Sequence, residues 1–187
     1  MSRNKGGFTI VELLIVIVVI GILAAITIVA YNGIQQKSKN TALINAASQT
    51  LKSIQAYVAQ EGAYPALNGY ACTTTSSGCI EMSGTARTAN ATFDTNIAKV
   101  SSLPRSVPNV GTVGQGIIYN HSDTRLYDGQ ARPALLMYYL DGLSQKCGVG
   151  DVMTAWGTPG QDAAPSTTGF TSNNTTYNKT NCLVSIP

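Results

Sequence analysis

The chain has 187 residues, a formal net charge of +3, 11% charged residues and 44% hydrophobic ones. A typical soluble domain carries roughly 25% charged residues, so half the usual charge is missing, and 58 Ser, Thr, Asn and Gln residues fill the gap. The length suits one domain with an appendage, while the small net charge, the apolar content and the concentration of that content in one place argue against a nucleic-acid binder, a disordered chain and a polytopic membrane protein respectively.

The apolar content lies at the N-terminus. Nineteen of the 23 residues in 8–30 are hydrophobic, the exceptions being Thr9, Glu12, Gly21 and Thr27. As a helix this run spans about 35 Å at ~1.5 Å per residue, enough for a bilayer core of ~30 Å. Its β-branched richness would suit a buried strand, but strands rarely exceed ~10 residues, so length decides for helix. A secretory signal peptide, a single N-terminal anchor oriented by Arg3 and Lys5, and a buried core helix all fit the run. Glu12 separates them. An intramembrane carboxylate is a functional position by default and needs a cation when helices pack around it. Residues 13–36 carry no charge, so that cation comes from a lipid headgroup, another chain or a chain terminus.

The stretch Lys5-Gly6-Gly7-Phe8-Thr9-Ile10-Val11-Glu12-Leu13-Leu14-Ile15 resembles the prepilin processing motif of type IV pilins and the related pseudopilins. Its elements are a short basic leader ending in Gly, then Phe, then a Glu five positions into an uncharged apolar helix. The resemblance implies cleavage between Gly7 and Phe8 by a membrane prepilin peptidase, N-methylation of Phe8 and retention of the helix. It also supplies the missing cation, since the Phe8 ammonium of one subunit can approach Glu12 of its neighbour during assembly. The implied precursor is a single-pass membrane protein, its N-terminus cytoplasmic and its head outside. The implied partners are membrane lipid, the peptidase, an assembly platform with minor pilins, and further copies of the chain in a filament. Loss of the leader leaves 10 basic and 9 acidic residues. The chain departs from many type IV pilins in having no proline before Pro65; Gly21 and Asn32-Gly33 are the weak points of the helix instead.

From residue 35 to 60 neither proline nor glycine interrupts, and Ile44, Ala47, Leu51, Ile54 and Val58 recur at spacings of 3 and 4, an apolar helical stripe suited to packing on a head domain. One long helix is therefore expected over residues 8–60, ended by Gly62 and Pro65. The expected layout is a cleaved leader 1–7, a transmembrane and filament-core helix 8–34, its amphipathic continuation 35–60, and a head 61–187. Tyr57 followed by Gly62-Ala63-Tyr64-Pro65, and Trp156-Gly157-Thr158-Pro159, resemble segments of pseudopilins and keep a type II secretion or competence subunit as the alternative to a pilus subunit.

Residues 67–87 read as a Thr/Ser/Gly-rich surface loop and residues 90–102 as a short helix with Phe93, Ile97 and Val100 on one face. Strands are expected at 116–120, 125–127 and 134–140, with turns at Ser122-Asp123 and Asp128-Gly129, and a fourth over 149–154. The fold class is α+β: a small antiparallel sheet laid on the long helix. Residues 159–181 form a Thr/Ser/Asn/Gly/Pro tract, and a proline-punctuated connector runs to Asn109.

Four cysteines beyond a membrane anchor suggest disulfides, with three connectivities open. Cys72–Cys79 is favoured because it closes a small loop around the intervening Thr/Ser/Gly insert. Cys147–Cys182 staples the polar tract onto the sheet and resembles the disulfide-bounded C-terminal region (147–182) of type IV pilins. A zinc site is disfavoured by the absence of Cys-x-x-Cys spacing and the distance of His121. Asp151 and Asp162 are weak candidates for calcium. Asn-x-Ser/Thr sequons begin at Asn90, Asn120, Asn173, Asn174 and Asn178. No catalytic motif, cofactor site or enzyme activity is expected. The expected function is that of a structural pilus subunit serving adhesion, motility or DNA uptake; a single-helix-anchored adhesive module is the remaining option.

Overall fold

The computed structural model describes residues 7–67, 69–74, 78–108, 112–122, 125–155 and 162–187. The elements are α1 (Ile10–Glu61), β1 (Gly69–Cys72), β2 (Cys79–Ile80), β3 (Ala86–Arg87), α2 (Ala91–Ala98), β4 (Ile118–His121), β5 (Leu126–Tyr127), β6 (Gln130–Ala131), β7 (Ala134–Asp141), β8 (Asp151–Val152), β9 (Asp162–Ala163), β10 (Ser172–Asn174) and β11 (Lys179–Ser185). Two compact units result, Met1–Ser38 and Lys39–Pro187. Asp123, Asn109, the leader residues Arg3 and Lys5, and Trp156 to Pro159 lie outside the described residues.

Helix α1 has 52 residues and no internal proline. It stops where Gly62 takes φ 71° and its N–H donates to the Val58 carbonyl at 2.9 Å. That bond from the first left-handed residue back into the last turn is an αL cap. In the first unit the large apolar side chains from Phe8 to Ile34 are 48–83% exposed. This is the one helix among the described residues that is long and apolar enough to cross a membrane. Such a continuous apolar surface is stable only when lipid or other protein covers it.

In the second unit α1 lies against a six-stranded antiparallel sheet of order β1-β4-β7-β11-β10, with β8 also paired to β11. Leu43, Ala47, Leu51 and Ile54 are buried with Leu136, Tyr138 and Leu140 of β7 and Val184 of β11; Ile44 and Val58 pack at the margin. The alternate residues Leu135, Met137, Tyr139 and Leu183 enter a second core with Met153, Ala163, Cys72 and Cys79. β7 is thus buried on both faces, which is why its sequence ALLMYYL is continuously apolar rather than alternating. Two small sheets, β2-β3 and β6-β5-β9, supply residues to that second core, and the β5–β9 pair is parallel. Asp128 and Gly129 (φ 51° and 72°) make the two-residue turn between β5 and β6.

α2 begins at the N-cap Asn90, whose Oδ1 accepts from the Phe93 N–H at 3.0 Å. It buries Phe93 and Ile97, with Phe93 stacked on Tyr119, and ends at Ala98 rather than near residue 102.

The sheet is larger than the three or four strands expected. The segment 67–87, expected as a surface loop, carries β1, β2 and β3, and Cys72 and Cys79 within it are fully buried. The polar tract 159–181 contains β9, β10 and the start of β11. The strand expected over 149–154 shrinks to Asp151–Val152 because glycines at 148 and 150 take φ 70° and 51° just before it.

Gly116 is a position where glycine is obligatory. Its φ is 75°, and a Cβ there would lie 2.5 Å from Cys79 Sγ and 2.8 Å from Thr74 Oγ1. Gly116→Ala should therefore destabilise the head by about 2–3 kcal/mol, combining left-handed strain with overpacking. Urea unfolding of the two proteins measures this; an unchanged midpoint would show that the β1–β2 segment yields freely.

Candidate functional site

The features singled out in the sequence fall in two places. At the N-terminus, Gly7 and Phe8 precede the helix in non-helical backbone, and Phe8 is 79% exposed. Thr9 and Glu12 form a reciprocal pair. The Thr9 N–H donates to Glu12 Oε2 at 2.8 Å, the Thr9 hydroxyl donates to the same oxygen at 2.7 Å, and the Glu12 N–H donates to Thr9 Oγ1 at 3.3 Å. This is a capping box: a Thr at the N-cap, a Glu three residues on, and two otherwise orphaned backbone donors satisfied. The carboxylate also sits at the positive end of the helix dipole. Glu12 thus has a local function in the single chain. The signal was available in the sequence as Thr9-Ile10-Val11-Glu12, a Thr-x-x-Glu pattern directly before an apolar run.

In the head, Cys72 and Cys79 are joined by a disulfide, as are Cys147 and Cys182, with no free cysteine. The first ties β1 to β2. The second ties the segment before β8 to the middle of β11, under the helix-facing side of the sheet. The Tyr138 hydroxyl donates to the Cys147 carbonyl at 2.7 Å, and the Cys147 N–H donates to the Gly169 carbonyl at 2.9 Å. Burial pushes the Tyr138 phenol far above its ordinary range, so it acts as a neutral donor throughout physiological pH.

Other candidates are absorbed into structure. His121 lies at the end of β4 with its ring 6.0 Å from that of Tyr64. Asp151 pairs with Arg132, and no group of three His, Cys, Asp or Glu among the described residues could hold a metal ion. The side chain of Asp162 lies outside the described residues. Asn120 is 5% exposed, donates to the Gly69 carbonyl at 2.8 Å and accepts from the guanidinium of Arg125, so its sequon is unavailable for glycan attachment. Burial lowers the Arg125 pKa, its charge being held among the Asn120 amide and the Pro133 carbonyl. A cavity of about 410 Å³ lies on the second-core face of the sheet, lined by Met82, Met137, Tyr139 and Leu183 with Thr154 and Asn181 at its edge.

Comparison with known proteins agrees with the N-terminal geometry. Residues 2–28 match the family described as the prokaryotic N-terminal methylation motif. The fimbrial protein EcpC of Eikenella corrodens is 37% identical to the chain over 71 residues, 38% of this chain and 46% of that protein. The chain thus spans about half the length of the curated relative it matches. No solved structure matches it.

Proposed function

We propose that this type IV pilin-like protein is a structural subunit of a type IV pilus, inserted in the membrane as a prepilin, cleaved between Gly7 and Phe8, and assembled through its N-terminal helix into a surface filament. The observation that carries the reading is the apolar first half of α1, exposed along its length, with a single carboxylate, Glu12, at its start. A helix of that kind is soluble in lipid as a monomer and in a bundle of its own copies once assembled. The leader, 1–7, would be removed by a prepilin peptidase, and Phe8 would then carry the N-methyl group that the motif's description names. Its ammonium would meet Glu12 of a neighbouring subunit, neutralising two charges in an apolar core. The fimbrial relative favours a surface pilus over a secretion pseudopilus. The head, stapled by two disulfides, would form the outer layer and lie outside the cytoplasm, consistent with oxidised cysteines. A scaffolding task needs no cofactor and no catalytic set.

Intact-mass measurement and N-terminal sequencing of protein sheared from the cell surface test this reading. The expected species starts at methylated Phe8 and retains both disulfides. A Met1 start in that preparation would overturn both the processing and the filament assignment.

A further inference from the structure

Asn40 is the one carboxamide among the buried residues of α1, the others being Leu43, Ala46, Ala47, Thr50, Leu51, Ser53, Ile54 and Tyr57. Its Nδ2 donates to the Asp141 carbonyl at 2.9 Å, and its Oδ1 accepts from the Asp141 N–H at 2.9 Å. β7 is paired with β4 only through Ala134 to Met137, so Asp141 lies four residues beyond the last β4 partner. There a single side-chain amide supplies the donor and acceptor that a neighbouring strand would otherwise give. The same Asp141 is held from β11: the ammonium of Lys179, only 3% exposed, reaches its Oδ1 at 2.8 Å. The attachment point for Asn40 is therefore fixed from the other side.

The rest of the helix–sheet contact leaves a neighbouring axial position open to apolar packing. Apart from Asn40 and the phenol of Tyr57 at its far end, the buried face of α1 is apolar or small, and its spacing of 3 and 4 repeats. A Cβ at Gly148 would lie 3.2 Å from Ile44 Cγ2, and one at Gly150 would lie 3.2 Å from Leu51 Cδ2. Ile44 and Leu51 are seven residues apart, so a two-turn slide puts Leu51 at Gly148 and Val58 at Gly150, again branched aliphatics, but it also brings Glu61 to the fully buried place of Ile54. In one direction a slide of three residues brings only apolar or small residues to the places of Ala46 to Tyr57; the reverse slide would bury Gln49 and Gln60, and slides of four would bury Gln55 and Glu61 or Lys39 and Gln49. Size differences such as Ala47 against Ile54 oppose particular slides by degrees. Asn40 opposes all of them, because any slide leaves the Asp141 N–H and C=O bare and buries a carboxamide elsewhere. A lone buried polar residue that fixes register at some cost in stability is the best-attested use of such a group.

We propose that Asn40 is a positioning residue that sets the axial register of α1 on the head sheet. This deepens the filament reading, since subunits whose heads sit at different heights on the helix cannot stack regularly around a core of such helices. The register can nevertheless be measured without filaments, so the failure of one idea is distinguishable from the failure of the other.

The test is a pair of distance measurements on the full chain in detergent. Spin labels are placed at Gln49→Cys on the exposed face of α1 and Thr176→Cys in the exposed turn between β10 and β11; the native cysteines are all disulfide-bonded and do not label. With Asn40 present, one interlabel distance is expected. With Asn40→Leu or Asn40→Ala, a second population displaced by about 5 Å, one helical turn, should appear. An unchanged single distance in both variants, whatever happens to their thermal stability, would overturn the proposal and leave Asn40 a merely stabilising contact. Loss of the cooperative fold in both would overturn it too, because a register determinant should cost order without removing the fold.

Discussion

Glu12→Ala should leave the protein in the membrane and reduce surface filaments by roughly a hundredfold or more, read as the ratio of sheared to membrane-bound protein. Two roles of Glu12 predict this loss to different degrees. In the single chain its carboxylate completes the capping box with Thr9. Loss of a cap shifts a helix-start equilibrium by only about fivefold. In the proposed assembly it also answers the ammonium of the neighbour's Phe8 in a core where residues 13–36 offer no other charge. Removing one partner of a buried pair strands the other, an effect of roughly a hundredfold or more at each contact. Glu12→Gln separates the two roles. A glutamine at this position of a capping box still accepts from the Thr9 N–H, so the helix start survives while the charge is lost. If pairing dominates, Glu12→Gln fails almost as completely as Glu12→Ala. If the glutamine variant assembles normally while the alanine variant does not, capping is the role and the intersubunit pair is wrong.

The parts of the fold visible in the sequence are those where burial follows a local period. The stripe from Ile44 to Val58 is such a case, and so is the apolar run of β7; both end up where their patterns indicate. β11 was not visible, although it is the strand with the most partners, bonding to β7, β8 and β10. Its sequence, KTNCLVS, has polar residues at four of seven positions and no alternation. Two of those residues are buried through long-range partners, Lys179 through Asp141 and Thr180 through the Gly142 carbonyl, and so is Cys182 through Cys147. β1 was hidden in the same way by a Thr/Ser/Gly setting whose order comes from a disulfide and from pairing with β4. Asn40 could not be told from Asn45 five residues later; one is buried at the end of β7 and the other exposed, and only the path of the sheet decides which. The N-terminal motif, by contrast, was legible because it lies in consecutive residues, those that the methylation-motif family matches. What was overlooked there, the Thr9 cap, is itself a local pattern.

Breaking the Cys147–Cys182 bond, by substituting both residues with serine, should cost the head about 3–4 kcal/mol, against about 2 kcal/mol for the corresponding change at Cys72 and Cys79. In the chain-entropy account a cross-link stabilises by restricting the unfolded chain, and the restriction grows with the logarithm of loop length. The bonds close separations of 35 and 7 residues, which predicts a difference of about 1.4 kcal/mol from length alone. Both pairs are fully buried, so the cost of placing serine hydroxyls in the core is similar and largely cancels in the comparison. The larger loop also spans β8, β9 and β10, short strands that bury little apolar surface of their own. Without the cross-link their ordering entropy is opposed mainly by the pairing of β8 and β10 to β11 and of β9 to β5, so this region should open first. For a domain whose total stability is about 5–15 kcal/mol, a loss of 3–4 leaves a substantial transiently open population. Urea unfolding of the full chain in detergent measures the two losses, and limited proteolysis of the native state locates the opening. Equal losses, or a greater loss at Cys72 and Cys79, would refute the loop-length account. First cleavage in the β1–β2 segment, rather than between Cys147 and Cys182, would refute the claim that the polar tract depends on its staple.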